Sequence, residues 1–134
     1  VKKIRTALGD VSGKTIAILG LTFKPETDDM RDSPSLSIIP PLLDKGAIIK
    51  AHDPKGFKEA KHELPDTVQY LDDVNDAIAD ADAIVIMTEW NEYRSLNLVE
   101  LKKKMRGNAF IDLRNVYERD AVEAAGFNYA AVGR

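Results

Sequence analysis

Continuous apolar runs alternate with amphipathic stretches along this chain. The clearest runs are TIAILG (Thr15–Gly20), AIIKAHDP (Ala47–Pro54), DAIVIMTEW (Asp82–Trp90) and NAFIDLRN (Asn108–Asn115). Runs without polar alternation are typical of strands that are covered on both faces, as in parallel sheets. With the shorter VQYL they predict about five strands, and NYAAVG is a candidate for a short last one. The pattern therefore predicts a mostly parallel sheet in a three-layer α/β/α sandwich.

Four amphipathic stretches between the runs predict helices. In SPSLSIIPPLLDKG, Ser33 is the expected N-cap, Pro34 the first helical residue and Gly46 the C-terminal stop. Pro40 and Pro41 inside this helix predict a bend. The other helices are expected in LDDVNDAIADAD, capped by Asp72 or Asp73, in NLVELKKKMRG, whose cations suit a helix C-terminus, and in ERDAVEAAG. Residues 1–12 resemble the tail of an upstream helix, which leaves 13–134 as the domain.

Composition narrows the class of protein. A chain of 134 residues that is 44% hydrophobic and 31% charged is typical of one globular domain. The net charge of −3 predicts no nucleic-acid partner, and no apolar run is long enough to cross a membrane. Without a signal peptide the expected location is the cytoplasm. The absence of cysteine excludes a thiol nucleophile, and His52 and His62 alone predict no metal site.

Cations and aromatic residues follow three of the predicted strands. In open parallel sheets, ligands bind beyond the carboxyl ends of the strands. The segments at these ends are GLTFKP, TEWNEYR and DLRN, which we expect to converge on one edge. The loops that these segments begin supply the cations Lys24, Arg31, Arg94 and Arg114 and the aromatic residues Phe23, Trp90 and Tyr93. Such cations can bind the phosphates of a nucleoside diphosphate, and flat apolar surface can bind its base.

The usual dinucleotide fingerprint is missing from the first of these segments. Gly20 opens the turn, but no G-x-G-x-x-G follows, so side-chain cations would have to bind the phosphates. Pro25 biases Lys24 towards extended geometry. Simpler interpretations stay open: Lys24 as a solvated loop residue, Arg31 as a brace for the neighbouring aspartates, and Asp53 as a turn former.

Three quoted segments together resemble a known family. GLTFKPETDDMRDSPS, ADAIVIMTEWNEYR and IDLRNVY are similar, in this order, to the C-terminal UDP-binding domain of UDP-glucose 6-dehydrogenases, in the UDP-glucose/GDP-mannose dehydrogenase family. The resemblance implies a Rossmann-like domain of an enzyme that oxidises UDP-glucose to UDP-glucuronate with two NAD. It implies that Phe23, Lys24 and Arg114 bind the substrate and that Arg31 reaches the NAD. Glu89 and Trp90 match the tryptophan-glutamate segment of the family.

The resemblance also implies partners that this chain does not contain. Family members have an N-terminal NAD-binding domain and a central helix, through which they commonly form homodimers, and their catalytic cysteine lies upstream of this region. This chain is therefore expected to bind the UDP-sugar but to hold no catalytic residue.

Two alternatives remain at this point. The first is the same domain from a sibling enzyme that oxidises UDP-N-acetylmannosamine, UDP-N-acetylglucosamine or GDP-mannose. The second is a receiver-like signalling module, which is also doubly wound, with Asp53 as the candidate phosphorylation site.

Overall fold

Strands and helices lie where the hydrophobic pattern predicts them. The computed structural model describes residues 12–20, 34–53, 67–71, 73–87, 93, 96–113 and 117–131. Its strands are β1 Thr15–Leu19, β2 Ile48–His52, β3 Gln69–Tyr70, β4 Ala83–Ile86, β5 Ala109–Asp112 and β6 Asn128–Ala131. Its helices are α1 Pro34–Asp44, α2 Val74–Ile78, α3 Leu98–Lys104 and α4 Arg119–Ala124.

The strands form one sheet in the order β3-β2-β1-β4-β5-β6, and every neighbouring pair is parallel. The predicted parallel α/β fold is confirmed, with one strand more than the five expected. The additional strand is β6, which has four residues and lies at the sheet edge. This order is that of the Rossmann fold, whereas receiver domains use the order 2-1-3-4-5. The receiver-like alternative is therefore wrong.

Each face of the sheet has its own apolar core, because successive strand residues point to opposite sides. One core contains Ile16, Ile18, Ile49 and Val85 of the strands with Ile39 and Leu42 of α1. The other contains Leu19, Ile84 and Phe110 with Ile78 of α2, Leu101 of α3 and Val122 of α4. Helices thus cover both faces, as in a three-layer sandwich. None of the helices in the described ranges is long and apolar enough to span a membrane.

Local signals in the sequence set several helix ends. Gly46 has φ of +90° and ends α1 in a Schellman motif. Its N–H donates to the carbonyl of Leu43 at 3.0 Å, and the N–H of Ala47 donates to that of Leu42 at 3.1 Å. Asp73 caps α2 by accepting from the N–H of Asn75 at 2.8 Å. The expected Gly46 stop and Asp73 cap are confirmed, while the bend at the prolines of α1 stays a prediction.

Asp82 joins three segments at the amino edge of the sheet, directly before β4. Its carboxylate accepts from the N–H of Thr15 at 2.8 Å and from Nε and a terminal nitrogen of Arg106 at 2.9 and 2.5 Å. These bonds connect β1, β4 and the turn before β5. The hydrogen bond from Arg106 is the main cause that holds the pKa of Asp82 below its usual value, against the opposing effect of burial.

Replacing Asp82 with Asn is expected to lower the free energy of unfolding at pH 7 by about 1–2 kcal/mol, because the charge-assisted bonds to Arg106 are lost. Because the pKa of Asp82 is lowered in the folded state, its carboxylate stabilises the fold fully at pH values above the unfolded-state pKa of about 3.9. The contribution disappears as the pH falls through the lower folded-state pKa. Urea unfolding is followed by circular dichroism from pH 7 to pH 2. The free energies of unfolding of Asp82→Asn and of the unaltered chain should become equal in acid.

The matched control is Glu100→Gln. Glu100 pairs with Lys103 at 3.5 Å, but the two side chains are 53% and 68% exposed. Water screens such pairs, so this variant should unfold like the unaltered chain at every pH. A difference at pH 7 that persisted undiminished in acid would contradict the role given to the Asp82 carboxylate.

Candidate functional site

The candidate site is the edge of the sheet where the carboxyl ends of β1 and β4 lie side by side. From β1 the chain moves outward to β2 and β3, and from β4 it moves the other way to β5 and β6. Doubly wound sheets bind ligands where the strand order reverses in this manner. At the reversal Leu19 pairs with Ile86, and the N–H of Met87 donates to the carbonyl of Leu19 at 2.9 Å.

Backbone hydrogen bonds keep the neighbouring strand ends level. The N–H of Gly20 donates to the carbonyl of His52 at 2.8 Å, and that of Leu113 donates to the carbonyl of Ile86 at 3.0 Å. β5 lies two strands from β1, which corresponds to about 10 Å. The chain therefore leaves β1, β4 and β5 at the same edge and within a short distance.

Gly20 directly follows the last residue of β1. It is buried and has φ of +94°, a backbone conformation that glycine adopts freely and other residues adopt only under strain. This conformation suits the turn that the sequence predicts at Gly20, but the residues that would complete the turn lie outside the described residues.

The predicted binding residues Phe23, Lys24, Arg31 and Arg114 lie outside the described residues, as do Glu89, Trp90 and Arg94. Their roles remain predictions. The structure does describe where their segments begin. Gly20 lies three residues before Phe23, and Leu113 directly precedes Arg114.

Tyr93 does not provide ligand-binding surface, contrary to the expectation from the sequence. Its side chain is fully buried, and its ring meets that of His52 edge-on at a centroid distance of 5.7 Å. The burial of the hydroxyl is compensated by hydrogen bonds to His52 inside the protein. It donates to the carbonyl of His52 at 3.0 Å and lies 2.8 Å from Nδ1 of the same residue.

A tyrosine hydroxyl has one proton. Donation of this proton to the carbonyl of His52 is compatible with the tautomer in which Nδ1 carries the ring proton and donates to the hydroxyl oxygen. The end of β2 is thus joined by two hydrogen bonds to the connection that follows β4.

Asp112 joins the end of β5 to two tyrosines. Its side chain is fully buried, and Oδ2 accepts from the N–H of Tyr117 at 2.8 Å. The hydroxyl of Tyr129 in β6 lies 3.2 Å from the same oxygen and 2.9 Å from the carbonyl of Tyr117. Its single proton is shared between these two acceptors.

The hydroxyl of Tyr117 links this group to Tyr93. It donates to the carbonyl of Tyr93 and accepts from the N–H of Leu96 at 3.1 Å. We call His52, Tyr93, Asp112, Tyr117 and Tyr129 the tyrosine frame. The frame connects the ends of β2 and β5, the connection after β4 and the edge strand β6 through one set of buried and partly buried hydrogen bonds.

Aromatic side chains pack against the tyrosine frame. The ring of Phe110 lies 5.7 Å from Tyr117, 5.2 Å from Phe127 and 6.0 Å from Tyr129, edge-on to the first two and stacked on the third. The guanidinium carbon of Arg119 lies 5.2 Å from the centre of the Tyr129 ring. Such pairs contribute beyond the area that they bury and restrict the rotamers of the tyrosines.

The described residues at this edge hold the strand ends together. They do not themselves form a charged pocket for a ligand. His52, Asp53 and Asp112 are buried here. In the described ranges, no group of three or more His, Cys, Asp or Glu residues is arranged to hold a metal ion. The cations that would bind phosphates are those of the segments after β1, β4 and β5.

Sequence reasoning did not find the frame. One signal was available, because Asp112 ends a buried strand and Tyr117 follows it within the recognised IDLRNVY segment. His52 was correctly expected to be a strand residue, but nothing near it in the sequence pointed to Tyr93. Tyr129 had no local signal, since its partners are 12 and 17 residues away.

Comparisons with known proteins agree with the fold and identify the family. Residues 17–119 match the sequence profile of the UDP-glucose/GDP-mannose dehydrogenase family, UDP binding domain. The chain is 47% identical over 133 residues to the UDP-glucose 6-dehydrogenase of Rhizobium meliloti. That match covers 99% of this chain and 30% of the relative, so the chain spans about a third of its length.

Two solved structures share both the fold and detectable sequence identity. The NDP-N-acetyl-D-galactosaminuronic acid dehydrogenase of Methanosarcina mazei Go1 matches with a TM-score of 0.83 and 33% identity, over 97% of this chain and 27% of that one. The UDP-glucose dehydrogenase of Pyrobaculum islandicum matches with a TM-score of 0.72 and 32% identity, over 83% and 24%.

Replacing Tyr93 with Phe tests the link between β2 and the connection after β4. The variant removes only the hydroxyl that serves the ring and the carbonyl of His52, so the free energy of unfolding should fall by about 1–3 kcal/mol. Urea unfolding of Tyr93→Phe, His52→Gln and the double variant measures the coupling between the two residues. We expect the double variant to lose at least about 0.5 kcal/mol less than the sum of the single losses. Additive losses would contradict the link.

Proposed function

Because this chain belongs to the UDP-glucose/GDP-mannose dehydrogenase family as a UDP binding domain, we propose that it binds the UDP part of a UDP-sugar at the carboxyl edge of β1, β4 and β5. The observation that carries the proposal is the level alignment of these three strand ends at the point where the strand order reverses. Their connecting segments contain the cations that a diphosphate requires.

We assign the substrate to Phe23, Lys24 and Arg114. Lys24 lies in the segment after β1 and Arg114 in the segment after β5, so they would approach the diphosphate from two sides. Lysine acts on phosphate as a point charge, whereas arginine forms paired hydrogen bonds. Phe23 would supply apolar surface for the nucleoside or the sugar. Support comes from the shared segments GLTFKP and DLRN and from the family match.

We assign Arg31 to the cofactor, NAD. It lies in the same segment as Lys24 but seven residues further along the chain. A long connection between β1 and α1 would thus serve two ligands, the substrate near the sheet and the cofactor further away. The neighbouring Asp28, Asp29 and Asp32 would hold its guanidinium in orientation before the cofactor arrives.

For the whole enzyme we propose NAD-dependent oxidation of UDP-glucose to UDP-glucuronate, with two NAD used in succession. This chain contains no cysteine, so the thiol of the second oxidation would come from another part of the enzyme. Residues 1–12 would belong to the tail of the central helix and residues 13–134 to the UDP-binding domain. The N-terminal and central domains, a homodimer and a cytoplasmic location stay predictions.

A sibling enzyme is the second candidate. The structural similarity favours it in one respect, because the match to the N-acetyl-D-galactosaminuronic acid dehydrogenase has a higher TM-score, 0.83, than the match to the UDP-glucose dehydrogenase, 0.72. The curated relatives at 47% and 42% identity are UDP-glucose 6-dehydrogenases. Assays of the complete enzyme with UDP-glucose, UDP-N-acetylated sugars and GDP-mannose would distinguish the two.

Titration of the chain with UDP and with ADP tests the binding proposal. UDP should raise the melting temperature in a concentration-dependent manner, because a ligand that binds only the folded state stabilises it. ADP carries the same diphosphate and serves as the matched control, and it should produce a smaller shift at equal concentration. Equal shifts for the two nucleotides would contradict a UDP-specific site.

The variants Lys24→Ala and Arg114→Ala test the assigned residues. Each removes one charge-assisted contact to the diphosphate, which corresponds to an affinity for UDP that is about 10- to 150-fold lower by calorimetry. Lys103→Ala is the control, since it removes the same charge from an exposed residue of α3. If both binding-site variants kept the affinity of the unaltered chain, the assignment would be wrong.

A further inference from the structure

The strand β6, Asn128–Ala131, lies at one end of the sheet. Among the described strands it pairs only with β5, so its other side is an edge of the sheet. The strand at the opposite end, β3, has two residues, whereas β6 has four. A strand edge presents backbone N–H and C=O groups to any further strand, and a longer edge presents more of them. Of the two ends of this sheet, the edge of β6 is therefore the better template for a further strand.

The sequence around β6 lacks two features that commonly protect such an edge. Natural sheets discourage pairing at their edges with charged side chains and with proline. From Phe127 to Gly133 the chain contains no charged residue and no proline. Uncharged segments of this length without proline are of the kind that pairs with its own copies. If the edge is protected, the protection must come from another element of the fold.

The hydrogen bonds of β6 show which of its backbone groups face outward. The N–H of Asn128 donates to the carbonyl of Asn108, directly before β5, at 2.8 Å. In a parallel strand, alternate residues direct their N–H and C=O groups to the same neighbour. The backbone groups of Asn128 and Ala130 therefore face β5, and those of Tyr129 and Ala131 face the outer edge.

A side chain of α4 occupies one of these outward groups. A terminal nitrogen of Arg119 donates to the carbonyl of Tyr129 at 3.3 Å. Two further contacts hold the guanidinium, whose carbon lies 5.2 Å from the centre of the Tyr129 ring and whose nitrogen lies 3.6 Å from Oε1 of Glu123. The Arg119 side chain is nevertheless 42% exposed, so water reaches this edge. A charged group thus stands where an added strand would have to lie.

We propose that Arg119 prevents the outer edge of β6 from pairing with β6 of a second copy of this chain. An added strand needs the carbonyl of Tyr129 as an acceptor, so it must first displace the guanidinium. The strand that is excluded is a second β6, because two uncharged copies of this segment can pair symmetrically about a twofold axis. Such pairing would also bring the Arg119 side chains of the two copies to one contact, where they lose water and repel each other.

This role is independent of the proposed UDP site. The edge of β6 lies two strands from β4 and three strands from β1, where the strand order reverses. The state of association of the chain can therefore be measured without any nucleotide, and the result does not depend on whether UDP binds.

Sedimentation velocity of the chain and its variants over a range of concentrations tests the proposal. Arg119→Ala should self-associate with a dissociation constant about tenfold lower than that of the unaltered chain, because the acceptor at the edge is released. Lys103→Ala is the matched control, since it removes the same charge from an exposed residue of α3 and should associate no more than the unaltered chain. The two variants have equal net charge, so overall repulsion cannot separate them. If Arg119→Ala associated no more strongly than Lys103→Ala, the proposal would be overturned.

A proline at Ala131 tests whether the new contact is a pairing of strands. The N–H of Ala131 faces the outer edge, so Ala131→Pro removes a donor from that edge and leaves the hydrogen bonds to β5 in place. In the Arg119→Ala background, this change should return the dissociation constant to within about twofold of that of the unaltered chain. Association as strong as that of Arg119→Ala alone would mean that the copies meet elsewhere, and the proposal would be wrong.

Circular dichroism verifies that each variant is folded at the temperature of the measurement. If Arg119→Ala is not folded, Arg119→Gln replaces it, since glutamine retains part of the stem and removes the charge. If the proline variant is not folded, hydrogen exchange of the associated Arg119→Ala chain replaces it. Pairing of the strands should slow exchange of the Ala131 amide. Exchange at this amide that did not change on association would contradict the proposal.

Discussion

Six parallel strands share one sheet, and this constraint decides where the other described parts of the fold lie. A parallel neighbour can be reached only by a connection that crosses a face of the sheet. Helices therefore cover both faces, and all carboxyl ends of the strands gather at one edge. Backbone hydrogen bonds at Gly20, Met87 and Leu113 keep these ends level. The segments that leave β1, β4 and β5 consequently begin close together, although they are far apart in the sequence.

Two buried aspartates hold the opposite edges of this sheet by similar means. Asp82 stands before β4 and bonds to Thr15 and Arg106, and Asp112 ends β5 and bonds to Tyr117 and Tyr129. Both carboxylates are satisfied by donors that the fold places. They differ in position, because the first joins segments that are remote from the candidate site. The second ends β5 at the carboxyl edge and directly precedes Leu113.

Much of the architecture could be predicted from local patterns. Apolar runs located the strands, since burial on both faces removes the polar alternation of half-exposed strands. The Asp73 cap and the Gly46 stop were visible because capping depends on residues within one turn. The sixth strand was uncertain, because β6 is a short edge strand with an exposed residue, Asn128, at its start. Local composition carries little signal for such a strand.

The candidate site, like the fold, could be predicted from the sequence only in part. The sequence by itself determined the fold class and the family, because these follow from periodicity and from motifs of adjacent residues. Only the tertiary structure decided that Tyr93, in the polar stretch TEWNEYR, is buried against His52 at 41 residues' separation. It also decided that Asp112 meets Tyr129. Hydrogen bonds between distant segments depend on which strands become neighbours, and no local pattern contains that choice.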